Sequence, residues 1–158
     1  MKIQRPQNLA QIVMERLYDA PILTVWQVLT YPDCVMVWFG GDGFTNPVCE
    51  MDVRQGGIWH HVMRTPDGAN HIIDSVFTTV QAPKHLEWQN ADYGKSTDRV
   101  PPPCHYAVTL TELESQTAWT LVANFETPEA RDAADAMGFT EILSQGCERF
   151  NNMARALK

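Results

Sequence analysis

Residues 49–68 read Cys49-Glu50-Met51-Asp52-Val53-Arg54-Gln55-Gly56-Gly57-Ile58-Trp59-His60-His61-Val62-Met63-Arg64-Thr65-Pro66-Asp67-Gly68. Cys49, Met51 and Val53 alternate with Glu50, Asp52 and Arg54, the period of two that gives a strand one apolar face. Gly56-Gly57 interrupts the pattern, after which Trp59, His61 and Met63 share a face of the next strand. Thr65-Pro66-Asp67-Gly68 then puts proline and glycine where a tight turn favours them. Strands joined this closely run back alongside one another, so the stretch describes an antiparallel meander.

The same alternation continues on the C-terminal side, predicting strands at about 71–80, 85–90, 105–113 and 117–125. On the N-terminal side residues 9–18 alternate as a strand, with Ile12, Met14 and Tyr18 on one face. Pro21 stops it, and Ile22, Val25, Trp26 and Leu29 follow at helical spacing. A short second helix is expected through Trp38, before the Gly40-Gly41-Asp42-Gly43 loop. After the meander, Thr127-Pro128-Glu129 combines an N-cap, a first-turn proline and an acid suited to a helix start. The helix it opens should reach about Met137. Beyond Gly138, Phe139, Leu143, Gly146, Phe150, Met153 and Leu157 recur every three or four residues, marking one long amphipathic helix. The expectation is an α+β fold over residues 1–158, with a curved sheet of seven antiparallel strands wrapped around the long helix. Two short helices separate its first two strands. Residues 91–103 form the one long connection, a candidate lid.

Composition bounds the partners. The chain has 158 residues and a net charge of -7, from Lys+Arg 12 against Asp+Glu 19. No run of basic residues exists to neutralise a phosphate backbone or an anionic membrane, so neither is expected as a partner. The longest unbroken apolar run, Val35 to Phe39, is far short of the ~20 residues a spanning helix needs. Residues 1–20 show no secretion signal. The four cysteines, Cys34, Cys49, Cys104 and Cys147, have no paired spacing and read as reduced thiols in a cytoplasmic protein.

Together these motifs resemble the family of activator of heat-shock-protein ATPase homologues, within the START and polyketide-cyclase superfamily. The resemblance rests on Arg16-x-Tyr18-Asp19-Ala20-Pro21 with Val25-Trp26, on Trp38-x-Gly40, and on Cys49-x-x-Asp52-x-Arg54-x-Gly56-Gly57-x-Trp59 followed by Asp67-Gly68. Pro83-x-x-Leu86-x-Trp88 and Gly138 before the last helix complete it. Phe139 and the His60-His61 doublet depart from the usual pattern. The resemblance implies a helix-grip fold with a binding cavity between sheet and long helix, and it leaves a homodimer open. It implies no reaction, because the superfamily holds carriers, receptors and enzymes alike.

The candidate ligand-binding residues are the aromatic and methionine positions expected around that cavity: Trp38, Met51, Trp59, Met63, Phe77, Trp88, Tyr106, Phe139 and Leu143. His61 and His71 are the candidate polar groups, since pairing Met63 with His71 puts His61 diagonally across on the same face. They are also the candidate acid–base pair. No third ligand at metal spacing accompanies them, and the glycines lack the register of a phosphate loop, so no metal and no cofactor is expected. Asp52 and Arg54 read as a surface ion pair. The leading expectation is binding of a small hydrophobic or aromatic molecule. The alternatives are a small-molecule enzyme of the cyclase, dehydratase or hydrolase type using a pocket histidine, and a chaperone-interaction module.

Overall fold

The alternation at 45–64 folds as two paired strands, and the rest of the sheet is laid down on them in a computed structural model that describes residues 1–93 and 101–158. In chain order the elements are β1 (Lys2–Gln4), β2 (Gln11–Tyr18), α1 (Ile22–Thr30), α2 (Pro32–Trp38), β3 (Thr45–Met51), β4 (Ile58–Arg64), β5 (Asn70–Gln81), β6 (His85–Asn90), β7 (Cys104–Leu113), β8 (Gln116–Phe125), α3 (Pro128–Ala136) and α4 (Phe139–Leu157). All pairings are antiparallel, in the order β1-β2-β8-β7-β6-β5-β4-β3. The sheet therefore has eight strands, one more than the alternation predicts. The extra strand is β1, whose three residues pair with Val13–Glu15; a segment that short carries no readable period.

Local chemistry places the breaks. Pro32 occupies the first turn of α2, where its missing N–H leaves no bond unmade. The Thr127 hydroxyl accepts from the Ala130 N–H at 3.0 Å and caps α3. Asp52 and Arg54 form the expected exposed ion pair at 2.7 Å. At Gly57 a side chain is impossible, because a Cβ there would lie 1.8 Å from the Asp52 carbonyl oxygen. Residues 94–100 of the candidate lid lie outside the described residues.

α4 crosses the inward face and is held at its middle. Gly146 lets it approach the end of α2, since a Cβ there would lie 2.9 Å from the Trp38 carbonyl oxygen and 3.0 Å from that of Gly40. Arg149 donates to the carbonyls of Trp38 and Gly40 and pairs with Asp42 at 2.6 Å. The Gln145 side-chain oxygen accepts from the Asp42 N–H at 2.8 Å. Four contacts thus clamp the end of α2 and the 40–43 loop to the helix. Beneath them Tyr18 stacks on Phe150 at 4.4 Å, Phe150 meets Trp38 at 5.1 Å, and Trp119 packs edge-on to Tyr18 at 5.9 Å. This end of the grip is packed core. No described helix is long and apolar enough to cross a membrane.

Candidate functional site

Away from that packed end, period two decides what faces α4. Cys49 and Met51 on β3, Trp59, His61 and Met63 on β4, Ser75 and Phe77 on β5, Trp88 and Asn90 on β6 and Tyr106 on β7 all lie on the inward side, fixed by the register of neighbouring strands. The backbone of α4 packs closely on α1, α2, α3 and β2. Opposite β4–β6 the gap between helix and sheet is left to side chains.

Those side chains form a continuous arc of rings. Phe39 meets Trp59 edge-on at 5.6 Å, Trp59 meets Trp88 at 5.6 Å, and Trp88 stacks on Tyr106 at 5.0 Å with planes 10° apart. Tyr106 stacks on Phe139 at 6.2 Å, and Phe139 meets Phe125 at 5.4 Å. Trp59 and Trp88 are buried and make the floor. Phe77 is sealed beneath Trp59, 6.1 Å away. Phe39, Met51, Met63, Tyr106, Phe139 and Leu143 point inward yet remain partly exposed. Full packing would have hidden them. Trp38 stands apart from this arc's floor: it is buried at the clamped end, where its indole N–H donates to the Val28 carbonyl at 2.8 Å.

The two histidines part company. Met63 does pair with His71, as the turn spacing predicts, but His71 lies exposed at the hairpin end. His61 pairs with Ile73 and is fully buried. Its Nδ1 accepts from the Trp59 indole N–H at 3.2 Å, which requires the other nitrogen, Nε2, to carry the proton it donates to the Asn46 side-chain oxygen at 2.8 Å. The Asn46 amide nitrogen in turn donates to the carbonyls of Met36 and Phe39, each at 2.9 Å. Burial, and to a smaller extent the neighbouring His60, pull the His61 pKa down to about 4. It is a neutral, fully engaged imidazole that ties β4 to the end of α2 and so sets the position of Phe39. Residues 61 and 71 share a face without sharing a site.

Three polar residues of the inward side escaped the sequence reading: Asn46, Ser75 and Asn90 are all buried. Ser75 and Asn90 were detectable in principle, as polar side chains at inward positions of otherwise apolar alternating strands. Among the described residues the only Asp, Glu, Lys or Arg at an inward position of β3–β7 is Glu112, exposed at the end of β7 away from Tyr106. Arg16, inward on β2, lies 4.8 Å over the Tyr18 ring and pairs with Glu148 at 2.8 Å. All four cysteines are buried free thiols, and burial pushes Cys49 up to about 11. Charge gathers outside. There Glu87 accepts from His85 at 2.8 Å and lies 3.2 Å from His105, and His60 meets Asp74 at 2.5 Å. Among the described residues no group of three or more His, Cys, Asp or Glu is placed to hold a metal ion.

An open groove of about 740 Å³ lies at the far side, between the start of α1, the β5–β6 turn and β7, lined by Ile22, Pro83, Lys84, His85 and Glu112 among others. None of the candidate residues contributes to it. Its wide mouth and the Lys84, His85 and Glu112 rim make it an open surface recess, unlike the enclosing clefts that bury most of a small-molecule ligand.

A helix laid across an antiparallel sheet, with an aromatic arc between them, defines a helix-grip protein. The sequence pattern of the family described as Activator of Hsp90 ATPase homolog 1-like protein matches residues 19–155, and the chain belongs to that family. A protein from Nitrosomonas europaea solved by crystallography is 25% identical, with a TM-score of 0.84 over 93% of this chain and 95% of its own. A solution structure from Arthrobacter aurescens is 24% identical, with a TM-score of 0.87 over 98% of this chain and 91% of its own. An AHSA1-like protein from Aeromonas hydrophila shares the fold at 23% identity, with a TM-score of 0.70 over 93% of both chains. No curated protein matches the chain.

Proposed function

We propose that this protein binds a small apolar or aromatic molecule between α4 and the inward face of β3–β7. The observation that carries the reading is the partial exposure of Met51, Met63 and Tyr106 on the sheet face towards the helix, of Phe39 after α2, and of Phe139 and Leu143 on α4. Apolar side chains that face inward yet keep contact with solvent line a space that a ligand can fill, with burial worth roughly 25 cal/mol per Å² of apolar surface. The neutral, doubly engaged His61 supports binding over acid–base catalysis at that residue, because a general base works best with a pKa near the working pH and a free lone pair. Native mass spectrometry of freshly purified protein, paired with a thermal-shift screen of hydrophobic compounds, tests the reading. A retained small molecule, or a rise in Tm with aromatic compounds, is the expected result. Neither in both assays overturns it.

A further inference from the structure

Among the described residues most buried polar side chains are consumed by protein partners, although the Tyr18 and Thr78 hydroxyls find none. His61 and Asn46 satisfy one another, the Thr30 hydroxyl donates to Trp26, that of Thr117 to Ala20, and Arg131 to Pro6 and Leu9. Two residues at the floor of the proposed site differ. Ser75 on β5 and Asn90 on β6 are directly opposed, 3% and 8% exposed. Ser75 also faces Trp59 across β4, and Asn90 follows Trp88 by two positions on β6. Directly opposed residues hold their Cβ atoms about 4.5–5.5 Å apart, close enough for one ligand atom to meet both side chains.

Among the described residues the Ser75 hydroxyl makes no side-chain hydrogen bond, and Asn90 uses only its oxygen, which accepts from the Cys104 N–H at 2.7 Å. A hydroxyl donor and an amide donor therefore remain available beside the contacting Trp59 and Trp88 indoles. Donors left unmet in apolar surroundings are costly, so such a pair is poised for an acceptor. The inward positions of β3–β6 and those of β7 from Cys104 to Leu110 carry no charged residue among the described residues, and Glu112 stands exposed at the far end of β7. A ligand carboxylate or ammonium at this floor therefore has no counter-ion beside it. The surrounding Trp59, Trp88 and Tyr106 rings favour an aromatic partner able to meet them edge-on or offset.

Resting on the binding reading above, we infer that the ligand is an uncharged aromatic molecule carrying a hydroxyl or carbonyl oxygen, met at the floor of the site by the Ser75 hydroxyl and the Asn90 amide.

Calorimetric titration of the whole protein with naphthalene, 2-naphthol and 2-naphthoate tests this. Wild-type protein should bind 2-naphthol about tenfold more tightly than naphthalene, the scale of one or two net hydrogen bonds. It should bind 2-naphthoate at least about tenfold more weakly than 2-naphthol. Ser75→Ala should shrink the preference for 2-naphthol over naphthalene to about twofold while leaving naphthalene affinity unchanged, and Ser75→Gly should shrink it likewise. Equal binding of the three compounds, tighter binding of the naphthoate, or an unchanged preference in both variants would overturn the inference and leave the binding reading standing. Failure of all three to bind wild-type protein would overturn both.

Discussion

His61 Nε2 lies 2.8 Å from the Asn46 side-chain oxygen, and the same asparagine holds two carbonyls at the end of α2. One buried pair thus joins the floor of the sheet to the helix end that carries Phe39. Because His61 has its pKa lowered to about 4, the folded state resists a proton that the unfolded chain accepts near 6.5. Between those values the unfolded chain binds more protons, so this residue's contribution makes stability rise with pH from about 4 to 6.5 and level off above. Lowering the pH from 7 to 5 should cost about 2 kcal/mol at this site. Urea unfolding of wild type and His61→Gln at both pH values isolates it: the pH-dependent loss should be smaller in the variant by that amount, and parallel curves refute the assignment.

Asn46→Ala leaves the His61 N–H and two helix-end carbonyls without their partner. Loss of such a buried network should destabilise the fold by about 2–4 kcal/mol. Asn46→Asp keeps an acceptor for His61 but cannot donate to Met36 and Phe39. If denaturation midpoints show both variants within about 0.5 kcal/mol of wild type, the network has no structural weight.

The adjacent glycines of the β3–β4 turn should behave differently. Gly56 has φ +82° with open space where a side chain would go, so Gly56→Ala should cost about 1–2 kcal/mol of backbone strain. Gly57→Ala drives a carbon into the Asp52 carbonyl and should cost more than about 4 kcal/mol or prevent soluble folding. Thermal unfolding of the two variants side by side checks the order, and a reversal contradicts the described turn.

Phe139 stacks on Tyr106 and meets Phe125 edge-on while staying partly exposed. As a wall of the proposed site, Phe139→Ala should weaken binding of an aromatic compound by about five- to tenfold and cost only about 1–2 kcal/mol of stability, less than a fully buried phenylalanine would. A stability loss above about 3 kcal/mol with unaltered affinity would mark it as core instead.

Much of this architecture is written in residues that act locally. Strong alternation, the Pro66-Asp67-Gly68 turn and the Thr127 cap place β2–β8 and the four helices within a few residues, because period and turn chemistry need no tertiary information. β1 does not, because its place depends on partners far along the chain: Arg5 on Asp135, and Arg131 on the Pro6 and Leu9 carbonyls that follow. The inward positions were legible for the same reason as the strands. What alternation cannot tell is whether an inward side chain is packed or faces a space. Trp38 and Phe77 are packed, whereas Met51, Met63, Tyr106 and Phe139 are partly open, and that difference arises from where α4 is clamped. Nor could it show that His61 spends both nitrogens on Trp59 and Asn46, since Asn46 sits on a different strand.

The pairing of β2 with β8 also bears on how the protein is made. Each residue of β2 finds a partner synthesised roughly 100 residues later, a wait of roughly 5–20 s at about 5–20 residues per second. During that time Ile12, Met14 and Tyr18 have no sheet to cover them, while β3–β6 can already zip by short turns. On the ribosome, the first long strand to emerge is among the last to be locked in place.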